Sequence, residues 1–156
     1  MSAISRTATK VFSNVAIKRP ARKLGLGDLA TKLEDAGKTL ELRFGAAMDT
    51  PANREKVRHI VGIERWGQRR LETFLGKEAV EDEYNDYQPS ASASWRDLKL
   101  AFANTRRRTV ETARQLDKAQ LGDDRTAVHN GQGPLTAREW LYYLRLHADL
   151  ESRRIK

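Results

Sequence analysis

The sequence predicts an all-α protein, a four-helix bundle. Apolar residues recur every third or fourth position in four stretches of about twenty residues, and capping residues open and close those stretches. Apolar and polar residues alternate nowhere over a useful length, so strands are not expected. At 156 residues with 39% hydrophobic content, the chain is of single-domain size and can form a core.

The first element is a basic arm. Residues 1–25 carry Arg6, Lys10, Lys18, Arg19, Arg22 and Lys23 and no acid, whereas residues 26–156 are nearly balanced, with 23 bases and 21 acids. Met1, Ile4, Ala8, Val11, Phe12 and Val15 fall at helical spacing until Pro20 stops them. A short docking helix or basic tail is expected, adding little to stability. An acid-free amphipathic stretch also looks like an organellar transit peptide, which makes import a minor alternative to a cytoplasmic location. Domain organisation is thus an arm over 1–25 and a bundle over 26–156.

The first bundle helix is expected from Asp28, as its cap, to about Met48, with Leu29, Leu33, Ala36, Leu40, Phe44 and Ala47 on one face. Thr50 and Pro51 restart the chain, a cap followed by a proline suited to the first helical position. The second helix then runs to about Leu75 and ends at Gly76. Its inward stripe holds His59, Ile60, Ile63, Trp66, Gly67, Leu71 and Phe74.

Residues 77–93, with Glu78, Glu81, Asp82, Glu83, Asp86 and Pro89, read as an acidic, flexible connection. Ser94 and Asp97 open a third helix that carries Trp95, Leu98, Phe102, Thr109, Ala113 and Leu116. After a glycine-rich loop, Thr136 and Glu139 form the clearest cap, and the fourth helix carries Trp140, Leu141, Leu144, His147, Ala148, Glu151 and Ile155. The three-residue joint makes the first two helices antiparallel. The seventeen-residue connection reaches about 56 to 61 Å, beyond the ~36 Å of a 24-residue helix, so a long crossover between the second and third helices is expected.

Composition narrows the chemistry. Without cysteine there are no disulfides, thiolate metal sites or cysteine nucleophiles. No apolar run approaches the roughly 20 residues of a membrane span. The arginines at 106, 107 and 108 spread over roughly 200° of a helix and cannot form one phosphate-facing row, so they read as a solvated face. Nucleic acid is an unlikely partner. Trp66, Trp95 and Trp140 read as core, Glu64 as an exposed partner of Arg65 or Gln68, and His129 as a surface residue or one behind the metal ligands.

His147 and Glu151 lie one turn apart on the same helical face. Joined by His59 from a facing helix, they would give two imidazoles and a carboxylate, suited to Zn²⁺, Ni²⁺ or Fe²⁺. The same histidines also fit hydrogen-bonded core positions, and Glu151 could instead pair with Arg154 or Arg145.

Two segments carry a resemblance. REKVRHIVGIERWGQRRL, from Arg54 to Leu71, looks like the second helix of the DinB-like (YfiT-like) metalloenzyme family, and HNGQGPLTAREWLYYLRLHADLESRRI, from His129, is similar to its last loop and helix. The resemblance implies a four-helix bundle in which one histidine of the second helix and two of the fourth hold a divalent metal. By that comparison the ligands are His59, His147 and Glu151, the last in place of a family histidine, and Arg154 stands where a glutamine is usual. It further implies a metal-dependent hydrolase or thiol transferase acting on a small molecule; a homodimer is an assembly that the sequence leaves open. The alternatives are a non-catalytic bundle that has lost its metal and, less favoured, a nucleic-acid-binding protein that uses the arm.

Overall fold

A computed structural model describes residues 13–156. The expected helical positions Met1 to Phe12 lie outside the described residues. A π-helical stretch, Ser13–Lys18, runs directly into α1 (Arg19–Ala21). Ile17 and Ala21 are completely buried, so this half of the arm is part of the packed body and touches the last helix.

The four long helices form where the caps place them. In α2 (Leu26–Ala46) the cap is Gly25, and Asp28 sits inside the first turn, its carboxylate accepting the Gly25 N–H at 3.0 Å. At the start of α3 (Pro51–Leu71), the Thr50 hydroxyl accepts the Asn53 N–H at 3.1 Å. A 3₁₀ turn, Glu72–Leu75, extends α3 until Gly76 turns the chain at φ 101°. Ser94 caps α4 (Trp95–Lys118). Thr136 and Glu139 bond reciprocally ahead of α5 (Ala137–Ser152).

Between α4 and α5 lies a hairpin, β1 (Ala127–His129) paired antiparallel with β2 (Gly133–Leu135). Three-residue strands are too short to leave a period-two pattern, which is why the sequence reads there as loop.

The helix contacts fix the topology. Glu34 reaches Arg114 and Phe44 packs on Phe102, so α2 and α4 run antiparallel. Glu64 meets Arg106 and Gln68 meets Thr109, so α3 and α4 run parallel, as a long crossover demands. His59 faces His147 and Trp66 faces Trp140, so α3 and α5 are antiparallel. Both α2 and α3 pack mainly on α4 and α5, which puts α2 and α3 at opposite corners.

The core has two apolar clusters, one around Leu33, Trp66, Val110, Trp140 and Leu144, the other around Leu40, Phe44, Ile60, Leu98 and Phe102. A buried polar layer separates them along the helices. There Arg106 and Glu64 form an ion pair at 2.7 Å with side chains 3% and 1% exposed. Glu64 is therefore no surface partner of Arg65, and of the three consecutive arginines Arg106 faces inward. Helical geometry makes both outcomes consistent, since three successive residues must point in three directions.

The crossover is packed down as well. Asp82 accepts bonds from Arg70 Nη1 at 2.6 Å, Trp66 Nε1 at 3.1 Å and the Tyr87 hydroxyl at 2.5 Å. A 3₁₀ turn, Tyr84–Tyr87, lies against α3, where a Cβ at Gly62 would come within 2.5 Å of Gln88 Cγ. One of the acids that read as a sign of flexibility, Asp82, anchors this segment instead, because α3 presents Arg70 and the Trp66 indole N–H to it. Among the described residues no helix is long and apolar enough to cross a membrane.

Candidate metal centre

Close approach of α3 and α5 builds the site. A Cβ at Gly67 would come within 2.5 Å of Leu144 Cδ2, so only glycine lets the helices meet at this depth. One or two turns away the same helices present His59 and His147, whose Nε2 atoms are 3.2 Å apart.

That separation has two chemical readings. In the metal-free chain one imidazole donates and the other accepts, which requires the accepting nitrogen to carry a free lone pair. Two nitrogens each about 2.05 Å from a shared tetrahedral ion would also sit about 3.3 Å apart, so the pair fits two adjacent ligand positions on a divalent metal. Burial, with the nearby His59 and His129 adding to it, pushes His147 down to about 3. Its ring is therefore neutral at pH 7, the state in which imidazole binds metal.

Glu151 is not brought to this point. It lies one turn beyond His147, half-buried, and its Oε2 accepts from Arg154 Nη1 at 3.5 Å. Among the described residues no three His, Asp or Glu side chains gather around a common centre. The structure thus joins His59 and His147 and leaves the carboxylate beside its guanidinium neighbour.

Three residues join the site that the sequence reading left out or set at its edge. Tyr84, on the crossover, meets His59 edge-on with ring centres 5.1 Å apart. Tyr143, one turn before His147, has its ring centre 5.8 Å from that of His147. Burial, then the charge of Glu151, raises the Tyr143 hydroxyl well above the ordinary tyrosine range, so it remains a protonated donor. His129 is 8% exposed, no surface residue, and packs on Trp66, Trp140 and Tyr143.

The sequence did carry a signal for Tyr143, four residues before His147 on one helical face. Tyr84 gave none, because a crossover has no periodicity from which to infer a facing residue.

Two half-buried imidazoles that converge on one point, flanked by a protonated phenol, can offer two nitrogen ligands to a cation. The sequence profile of the DinB superfamily matches residues 29–149. No curated protein and no solved structure matches the chain.

Proposed function

The chain belongs to the DinB superfamily, and from that premise we propose that it is a divalent-metal-dependent hydrolase or thiol transferase acting on a small molecule. His59 and His147 hold the ion, Zn²⁺, Ni²⁺ or Fe²⁺, and Glu151 supplies the third ligand on turning away from Arg154, beside which it now lies. The observation that carries this reading is the 3.2 Å spacing of the two Nε2 atoms, which suits adjacent ligands of one ion. A bound divalent metal lowers the pKa of a water or thiol and so supplies a nucleophile near neutral pH. Each residue has a distinct part. The imidazoles offer lone pairs, Tyr143 keeps a proton to donate, and Tyr84 screens one side of His59 from water.

Calorimetric titration of the metal-free chain with Zn²⁺, Ni²⁺ and anaerobic Fe²⁺ tests the proposal. Binding that disappears in both His59→Ala and His147→Ala is the expected result. Absence of any binding dependent on both histidines would sink it. One observation favours a second reading, a bundle that has lost its metal: Arg154 lies against the carboxylate that should ligate. A chain that purifies without metal and takes up none would establish that alternative.

A further inference from the structure

His129 closes β1 and faces its own turn with one nitrogen only. The backbone N–H groups of Gly131 and Gln132 both donate to its Nδ1, at 3.0 and 3.1 Å. A ring nitrogen that accepts two N–H bonds carries no proton, so in the neutral ring the proton resides on Nε2. The imidazolium form would place a third N–H against the two backbone donors and is disfavoured for the same reason. Burial acts in the same direction, pushing His129 down to about 4.

The far side of the ring is different. Nε2 is buried and finds no acceptor among the described residues. Because Nδ1 faces the turn, Nε2 faces away from it, toward the aromatic wall. Tyr143 meets the His129 ring edge-on at 4.5 Å and in turn stands beside His147. Buried donors are nearly always paired, so an unpaired one beside a binding site marks a bond made to something else.

A metal ligand and a general base both need a free lone pair, and His129 has none: Nδ1 is occupied and Nε2 is protonated. What it can do is donate. We propose that His129 is a fixed hydrogen-bond donor of the site, offering its Nε2–H to an oxygen of the small molecule held at the His59–His147 pair. The inference rests on reading that pair as a binding site.

A neutral donor in dry, aromatic surroundings discriminates in favour of a carboxylate or strongly polarised carbonyl oxygen, because no water competes for the bond. Tyr143, protonated and in the same wall, adds a second donor. The ligand class is therefore a small carboxylate or carbonyl compound whose remainder tolerates aromatic contact. Gln132 Oε1 is the rival acceptor within the protein, being buried without a donor of its own.

Long-range proton–nitrogen spectra of the full chain labelled with ¹⁵N-histidine test the proposal, with acetate as probe and with Zn²⁺ present or absent. At pH 7 His129 should show a bare Nδ1 and a protonated Nε2, and acetate should move the Nε2 proton downfield in a saturable way. His129→Phe, which keeps an aromatic ring and deletes the donor, should weaken acetate binding about tenfold. Zn²⁺ affinity should change less than about threefold, since His129 is no ligand.

An Nδ1-protonated ring overturns the proposal, as does acetate binding that leaves the Nε2 proton unmoved or is unchanged in His129→Phe. A Nε2 proton that ignores acetate but moves on Gln132→Ala assigns the bond to Gln132 and also overturns it. Should His129→Phe fail to fold, the titration of the unaltered chain decides. If Zn²⁺ does not bind, the metal reading fails by itself. The acetate titration without Zn²⁺ then decides for His129, and no saturable shift there overturns the donor role.

Discussion

Arg106 and Glu64 form a two-pronged ion pair in the middle of the bundle, Nε to Oε1 at 2.7 Å and Nη2 to Oε2 at 2.8 Å. The remaining valences are met nearby. Arg106 Nη1 donates to the Leu33 carbonyl at 3.2 Å, and the Thr109 hydroxyl donates to Glu64 Oε1 at 2.8 Å. The network joins α2, α3 and α4, and Gly37 leaves room for it, since a Cβ there would come within 2.7 Å of Arg106 Cγ.

Removing one partner should therefore be far worse than removing both. Arg106→Leu strands a buried carboxylate and should destabilise the fold by about 3 to 5 kcal/mol, whereas Arg106→Leu with Glu64→Leu should recover much of that loss. Urea unfolding of the two variants measures the difference. Equal losses would mean that the pair contributes through packing alone.

Ile17 lies in the basic arm and has no exposed surface. Ile17→Ala should cost about 2 to 5 kcal/mol, the range for deleting a buried aliphatic side chain. A thermal midpoint unchanged from the parent would show that the arm separates from the bundle in solution.

Stability should fall with acid earlier than carboxylates alone would cause. His129 and His147 titrate at about 4 and about 3 when folded, against ~6.5 in an unfolded chain. Between those limits the unfolded chain binds the protons and the folded chain does not, so stability is complete above pH ~6.5 and declines below it. Each residue contributes a slope of up to about 1.4 kcal/mol per pH unit. Urea midpoints of the metal-free chain between pH 7 and 5 should show this decline, and His147→Phe should make it shallower. A flat profile in the parent would place both histidines in contact with water.

Arg154 competes with any metal for Glu151, their closest atoms being 3.5 Å apart. If the carboxylate ligates, Arg154→Ala should tighten Zn²⁺ binding severalfold by releasing it, and Glu151→His should tighten it further. Glu151→Gln should weaken binding. Zn²⁺ affinities indifferent to all three changes would remove Glu151 from the ligand set and leave two histidines.

Gly67→Ala should force α3 and α5 apart, because its Cβ would overlap Leu144 Cδ2 at 2.5 Å. An overpacking loss of about 1 to 3 kcal/mol is expected, together with weaker Zn²⁺ binding as the two Nε2 atoms separate. Retained affinity at reduced stability would show that the histidine spacing is set locally.

The helices were legible because long apolar stripes and hydroxyl caps act over neighbouring residues, and Thr50, Ser94 and Thr136 all stand where they were read. The length of the 77–93 connection permitted the crossover that the structure shows. What sequence spacing could not give were partners fixed by tertiary contact. Glu64 and Arg106 come from different helices, each looking like an ordinary charged residue of an exposed face until the bundle closes around it. The site shows the same division: the His59–His147 convergence was legible from helical faces and from the family resemblance, whereas Tyr84 arrives from a stretch without periodicity. For His129 the glycine-rich loop left two readings open, a surface residue or one behind the metal ligands, because a three-residue strand gives no sign of the hairpin that turns it inward.

Asp82 has a further consequence, for the way the molecule opens. Its carboxylate binds α3 through Arg70 and Trp66, its carbonyl accepts from Asn130 at 3.1 Å, and Arg70 reaches the Val128 carbonyl at 3.4 Å. Crossover and hairpin are far apart in sequence yet are bolted to the same turn of α3. Neither can swing out without breaking bonds held by the other, so the two should behave as one cooperative unit, with amide hydrogens in 77–93 and 127–135 exchanging at a common opening free energy.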